Sequence, residues 1–509
     1  MNKNKKYGKM KKTNLILVAL LLLGFTTFAQ GWGKGMKVYA GTTLTEDSGT
    51  TINITGGAGW TLLLEDDLTH SPSAKFSGNV VVDAGSDSVR VQQYLTRDQW
   101  HYVAPMVSPS EYHDYWWIYM YKFNENDRTW TNIFNDNSQG WDMGVGYAAY
   151  SPSNGGIWPI HGDSVENHGL PLNASIDNLA LSYSYSGTSA QKGWNLVGNP
   201  FTISLDWNGH ADWDLQNVES TIQTWNHDVV GYGTYNWNTG IGTNGMDNVI
   251  ATGQSFFVHA TASGARLDLP ASQRIHRPNV EILKEAKTDP ENLLRIIASK
   301  DGKQNEILIA FDKKTTEGFD PMYDACYLAS SGSIADLYVT EGDEIYAQYW
   351  SPSIENHEII PVNFEAHSNG NFVLSFANTE GFDSAIPIWL EDKKNNEWQN
   401  LRENNQYAFA ATTEDDFARF NVHFATPNDV EEGVNNTSNI YAYEKTVNIF
   451  VSEKNFSGTA HIYDLLGQEV IAKNVQSGCN QISMLVNNTY FVVKLVSADK
   501  IVTKKVYIH

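Results

Sequence analysis

His461-Ile-Tyr-Asp-Leu-Leu-Gly-Gln-Glu-Val470, then Thr489-Tyr-Phe-Val-Val-Lys-Leu495, then Thr503-Lys-Lys-Val-Tyr-Ile-His509 close the chain and set its fold class. Ala460-His-Ile-Tyr463 alternates small or polar residues with apolar ones, the period of a half-buried strand. Asp464-Leu-Leu-Gly467 supplies a turn, with Gly467 able to take positive φ, and Gln468-Glu-Val-Ile471 resumes the strand. Tyr490-Phe-Val-Val-Lys-Leu-Val496 is β-branched and aromatic, as buried strands prefer. Ala498-Asp499 makes the next turn, and residues 501–508 form a closing strand. Six or seven short strands in about seventy residues predict a small immunoglobulin-like sandwich over 439–509.

The combination Tyr463-Asp464-x-x-Gly467, Tyr490-Phe-x-Val-Lys494 and a terminal strand with Lys504-Lys505 resembles the type A C-terminal sorting domain of the type IX (Por) secretion system of Bacteroidetes. Two departures stand out: Thr489 replaces the Gly usual before the late Tyr, and His509 follows the usual ending. The resemblance implies export through the Sec translocon, then through the type IX outer-membrane machinery. It also implies removal of the tail by that system's sortase-like peptidase, and a secreted or outer-surface destination.

The N-terminus agrees with export. Residues 1–12 carry six Lys, residues 14–24 are a short apolar core, and Thr27-Phe-Ala-Gln30 offers small residues for cleavage between Ala29 and Gln30. This is the pattern of a secretory signal peptide over 1–29. The apolar run is shorter than the ~20 residues of a membrane span.

The formal net charge is −23, and loss of the six N-terminal Lys makes it more negative still. Such a surface repels nucleic acid and anionic membranes, so no nucleic-acid partner is expected. Sixteen Trp, 25 Tyr and 40 Gly, without long helical periodicity, predict an all-β, multidomain chain of β-sandwich and jelly-roll-like modules. Cys326 and Cys479 fall in different modules, so two buried free thiols are expected and no disulfide.

The modules follow in order. Residues 30–95 alternate short β runs with Gly, Ser and Asp turns, either a β layer or a few turns of a β-solenoid. Residues 96–277 are rich in aromatics and carry a weak internal duplication. Trp100-His-Tyr-Val-Ala-Pro105 matches Trp194-Asn-Leu-Val-Gly-Asn-Pro200, Tyr121-Lys-Phe-Asn124 matches Thr224-Trp-Asn226, and the Gly-led stretch 144–150 matches 252–258. Two copies would pack as one pseudo-symmetric domain or as two tandem modules. Phrases such as Gly193-Trp-Asn-Leu-Val-Gly-Asn-Pro200 also resemble a recurring module of large Bacteroidetes surface proteins. A linker over 278–290, a jelly-roll-like sandwich over 291–425 and a second linker over 426–438 lead to the tail.

Chemistry is sparse. There is no Gly-x-Ser-x-Gly, His-Glu-x-x-His or P-loop, and the chain is expected not to be an enzyme. No cofactor is expected. The oxygen-rich turns Asn124-Glu-Asn-Asp127 and 136–142 leave Ca2+ as the one metal to consider, and the cluster Glu65-Asp66-Asp67 reads as a solvated turn. The aromatic run is the best candidate site. On a strand, Tyr115, Trp117, Tyr119 and Tyr121 share one face while Trp116, Ile118 and Met120 share the other. One face must be core; the other is a candidate platform for sugar rings, unless both are buried. Trp207, Trp213, Trp225 and Trp237 carry the same two readings. The expected role is adhesion, with glycans or matrix proteins as partners. A hydrolase with a dispersed carboxylate site and a ligand-free surface-layer protein are the alternatives.

Overall fold

The computed structural model describes seven short strands between residues 35 and 94 and, from 89 onward, all but 109–117, 134–140, 153–163, 209–211, 276–288, 331, 426–437, 444, 452, 454, 486–488, 499 and 509. Ala29, Gln30, Tyr115, Trp117 and Glu65-Asp66-Asp67 therefore lie outside the described residues. What is described is all-β: strands and three short 3-10 turns, with no α-helix among the described residues.

The N-terminal region is a solenoid rather than a layer of hairpins. Gly35–Val38, Thr61–Leu64 and Val89–Tyr94 stack in parallel. Thr43–Thr45 stacks on Lys75–Ser77, and Thr51–Ile54 on Asn79–Val82, also in parallel. Parallel neighbours need a crossover between them; here Thr43–Thr45 and Thr51–Ile54 lie between the first two strands in sequence and make parallel pairs of their own. Ser164–Pro171 caps the stack antiparallel to Val89–Tyr94 and continues to Val107–Ser108. The sheet thus runs across residue 95 and borrows a strand from the next module.

Residues 100–260 contain the same sheet twice. In the first copy the strand order is Trp100–Val103, Tyr147–Tyr150, Tyr119–Asn124, Thr129–Asn132. In the second it is Trp194–Gly198, Ser255–Ala260, Val218–Asn226, Gly231–Asn236, with Ile241–Gly242 added at the edge. The copies join by reciprocal backbone bonds about a pseudo-two-fold axis. Ala104 N donates to Gly253 O (2.9 Å) and Gly198 N to Gly144 O (3.0 Å). The bridge Val103–Gln254 is answered by Val145–Val197. This is one domain.

The join requires glycine. A Cβ on Gly198 would sit 2.3 Å from Ala104 Cβ and 2.8 Å from Val145 O, and one on Gly146 would sit 2.6 Å from Leu196 Cγ. The axis is thus a close backbone approach that any side chain would wedge apart.

Residues 293–423 form one long curled sheet, with Glu397–Asn400 at one end of the strand order and Gln406–Ala411 at the other. Its main core takes side chains from both halves of the order, from Leu294 and Ile309 to Leu390 and Phe420. The edges meet at Asp392, which accepts from Arg419 Nη2 (2.7 Å) and Tyr407 Oη (2.8 Å). Arg419 lies over the Phe409 ring at 4.5 Å, so this buried charge is both paired and stacked.

The tail is a seven-stranded sandwich. Ser438–Tyr443, Thr446–Val451 and Gly478–Ser483 face Glu469–Gln476, Ser457–Tyr463, Thr489–Ser497 and Ile501–Ile508 across a core of Ile449, Ile462, Phe491 and Val493. Gly467 takes φ +82°, and Asp464 Oδ1 accepts from Leu466 N and Gln468 N, both at 2.9 Å. The residues of the expected turn make it.

Candidate functional site

Strand alternation divides the aromatic run as its period requires. Ile118 and Met120 point into a core with Leu95, Val103, Trp141 and Tyr147. Tyr119 and Tyr121 point the other way. Cross-strand register then builds a surface that sequence order hides. Tyr119 faces Tyr150, and Tyr150 faces Trp100, so three rings cross three strands, a span of about 10 Å at the usual strand spacing. Tyr121 stands beside them, its ring centroid 5.4 Å from that of Trp100.

Trp100 is 45% exposed and Tyr119 44%. The rings are not coplanar: Trp100 and Tyr150 are tilted by 44°, Trp100 and Tyr121 by 67°. The surface is a twisted aromatic ramp. Tyr150 Oη donates to Asp98 Oδ1 (3.4 Å), and Asn132 Nδ2 donates to Tyr121 Oη (3.5 Å), so polar groups rim the rings. Partial burial and the Asp98 carboxylate hold the Tyr150 hydroxyl above its ordinary pKa. At the sheet edge the His101 and His227 rings lie 4.9 Å apart. Burial first, then His101, lowers His227 to about 4, and burial lowers His101 as well, so these imidazoles are uncharged at neutral pH.

The ramp descends into the molecule. On the same face Tyr102, Phe123 and Trp130 meet Phe257 of the second copy. Tyr102 Oη and Tyr232 Oη share a hydrogen bond of 2.5 Å, and burial pushes Tyr102 up to about 12. Glu125 pins the first copy's hairpin to the second. Its carboxylate accepts from Ser184 N, Ser184 Oγ, Tyr185 N and Gly193 N. Burial opposes its charge, but these donors outweigh it and hold its pKa low. Asp127 Oδ1 accepts from Thr129 N and Oγ1. The oxygen-rich turn considered for Ca2+ thus spends these carboxylates on N–H and O–H donors.

In the second copy the equivalent face is covered. Trp194 and Phe257 pack against Ala190, Cys326 and Leu328. Beside them Glu219, His259 and Cys326 lie together, all buried, with donor atoms within 4.8 Å of one another. His259 Nδ1 is 2.5 Å from Glu219 Oε1, and His259 Nε2 is 2.7 Å from Lys192 O. Cys326 N donates to Glu219 Oε2 at 3.4 Å. Both ring nitrogens face acceptors, which suits an imidazolium. Burial opposes that charge, but Glu219 prevails and raises the pKa. Burial pushes the Cys326 thiol well up. The ion pair joins two neighbouring strands of one sheet, and Glu219 also accepts from Cys326 N of the next domain; sequence spacing gave no sign of the cluster, because its members are about forty to one hundred residues apart.

The remaining sequence candidates separate. Trp207 and Trp213 are core, and Trp225 and Trp237 are half-buried. Cys326 is buried but Cys479 is exposed, against the expectation of two buried thiols, because its strand lies at a sheet edge. In the tail, Tyr463, Tyr490, Lys494 and Lys505 share the outer face of the four-stranded sheet, where Lys505 Nζ sits 4.2 Å over the Tyr490 ring. Lys504 faces the opposite way and pairs with Glu397 of the preceding domain. The basic pair is therefore split between two faces.

Residues 25–424 match the family described as Domain of unknown function (DUF8693), and the chain belongs to that family. No curated protein matches it. A solved chain described as "Biofilm associated protein - BSP domain" aligns over 84% of this chain and 96% of its own length, at 7% identity and a TM-score of 0.15. That likeness is too slight to carry an argument.

Proposed function

We propose that this is an exported, non-enzymatic β protein of the outer cell surface that binds glycan chains on Trp100, Tyr119, Tyr121 and Tyr150. One observation carries the reading: a four-stranded sheet packs Ile118, Met120, Val103 and Tyr147 of one face into a core and exposes Trp100 and Tyr119 on the other. Aromatic faces stack on the apolar C–H faces of sugar rings, and hydroxyl and carboxylate groups at the rim accept or donate to sugar hydroxyls. The tilt between rings suits a single twisted chain better than a flat crystalline surface. The test is a glycan array probed with residues 30–509 and with Trp100→Ala/Tyr119→Ala. Binding that disappears in the double variant supports the reading; an array blank for the wild type counts against it.

A protein partner is the second reading, because the equivalent face around Trp194 is covered by protein. Retention by matrix proteins, with no glycan bound, would favour it. We further propose that residues 439–509 are the sorting signal of a type IX route and that the 426–438 linker is cut. The resemblance of Tyr463, Asp464, Gly467, Tyr490 and Lys494 to that signal supports this. Deleting residues 438–509 should strand the protein in the periplasm; surface display of the truncated protein would overturn it.

A further inference from the structure

Charge divides unevenly along this chain. Residues 439–509 carry seven Lys against five Asp and Glu, whereas residues 30–438 hold a formal net charge of −31. A mildly basic domain therefore follows a strongly acidic body, and the two are in contact. Tyr441 and Phe450 are buried against Ala408, with Val373 and Ala410 beside them. Asn439 Nδ2 donates to Ala408 O at 2.6 Å, in a buried position. Asn371 Nδ2 donates to Asn448 Oδ1 at 3.4 Å. Lys504 pairs with Glu397. The contact has an apolar centre, a buried side-chain-to-backbone bond and an ion pair at its rim, the anatomy of a specific interface.

From this we infer that the C-terminal domain remains bound to the body after the 426–437 linker is cut. The surface formed by Gln406–Ala411, Asn371 and Glu397 is a receptor for the chain's own last domain. While the linker is intact it supplies an effective concentration of about millimolar order. Scission removes only that contribution, and the charge difference still favours return. Cutting and release are then separate steps. The consequence matters only if the linker is cut in the cell, as proposed above, but the docking itself does not depend on that reading.

The test uses residues 30–509 with a site-specific protease sequence placed within 426–437. After complete cutting, both fragments should co-elute in size exclusion at ~0.15 M salt and separate at ~1 M salt, where charge attraction is screened. Lys504→Glu and Asn439→Ala should each weaken retention about tenfold. Tyr441→Phe should retain or tighten it, because Tyr441 Oη is buried with no hydrogen-bond partner among the described residues. Elution of the small fragment alone at low salt would overturn the inference, as would retention unchanged in both weakening variants. Neither result bears on whether residues 439–509 direct export, which the truncation above reads separately.

Discussion

Trp100 and Trp194 begin the same strand in two copies of one sheet, yet Trp100 is 45% exposed and Trp194 is 1% exposed. Their partners explain the difference. Trp194 lies under Ala190, Cys326 and Leu328, and its neighbour His259 is tied to Glu219. The Trp100 ring packs against Tyr121 and Tyr150 of its own sheet. A duplicated sheet needs one inner face per copy to build a core. The second face is free to vary: one copy covers its Trp with the next domain, whereas the other packs Tyr102 and Phe123 on Phe257 and leaves Trp100 and Tyr119 exposed. Large exposed rings across adjacent strands are uncommon unless something binds them, and this is why the comparison points outward at Trp100.

Removing each ring in turn should separate the two faces by their cost in stability. Trp194→Ala should cost about 3–5 kcal/mol in denaturant unfolding, the usual loss for a buried aromatic. Cutting the ion pair beside it should be nearly as severe. His259→Gln leaves Glu219 buried without its cation, a loss of about 3–5 kcal/mol. That loss depends on pH. The folded pKa of His259 is raised from 6.5, so its contribution is fully present below about pH 6.5 and fades as pH rises through the folded value. Melting curves should show the gap between wild type and His259→Gln widest near pH 6 and narrower in alkali. A gap that widens in alkali would mean that His259 is buried neutral.

Smaller effects sharpen the symmetry itself. Gly198→Ala should cost on the order of 1–3 kcal/mol by overpacking the axis, and it should weaken both copies together, seen as one cooperative transition. Two separate transitions would show that the copies fold as independent modules. Smallest of all, Trp100→Ala should cost less than about 1 kcal/mol, the worth of its ring contacts, while removing ligand binding.

Much of this was legible in residues. The alternation around Ile118–Tyr121 told which side chains share a face, because a strand has a strict period of two. It could not tell which rings meet across strands. Trp100 and Tyr150 complete the ladder only through register, which depends on pairings some thirty to fifty residues apart. The repeated Trp-led and Gly-led phrases announced the duplication, and Gly144, Gly146, Gly198 and Gly253 sit where the copies join. The swap of backbone bonds around the axis was not readable, since nothing local distinguishes a pairing within a copy from one between copies. Glu125 looked like a cation ligand beside Asn124 and Asp127; its actual donors, Ser184 and Gly193, lie about sixty residues on. The turn Asp464–Gly467 was readable because its geometry is local. The split of Lys504 from Lys505 followed from alternation, but the Glu397 partner did not.

Hydroxyl-radical footprinting of the folded protein reads the difference between Trp100 and Trp194 ring by ring. With no ligand, Trp100 and Tyr119 should oxidise readily and Trp194 should stay unmodified until unfolding. With a saturating glycan identified on the array, Trp100 and Tyr119 should become protected while the rest of the pattern is unchanged. Oxidation of Trp194 at the rate of Trp100, or no protection of Trp100 in a complex shown to be saturated, would contradict the account.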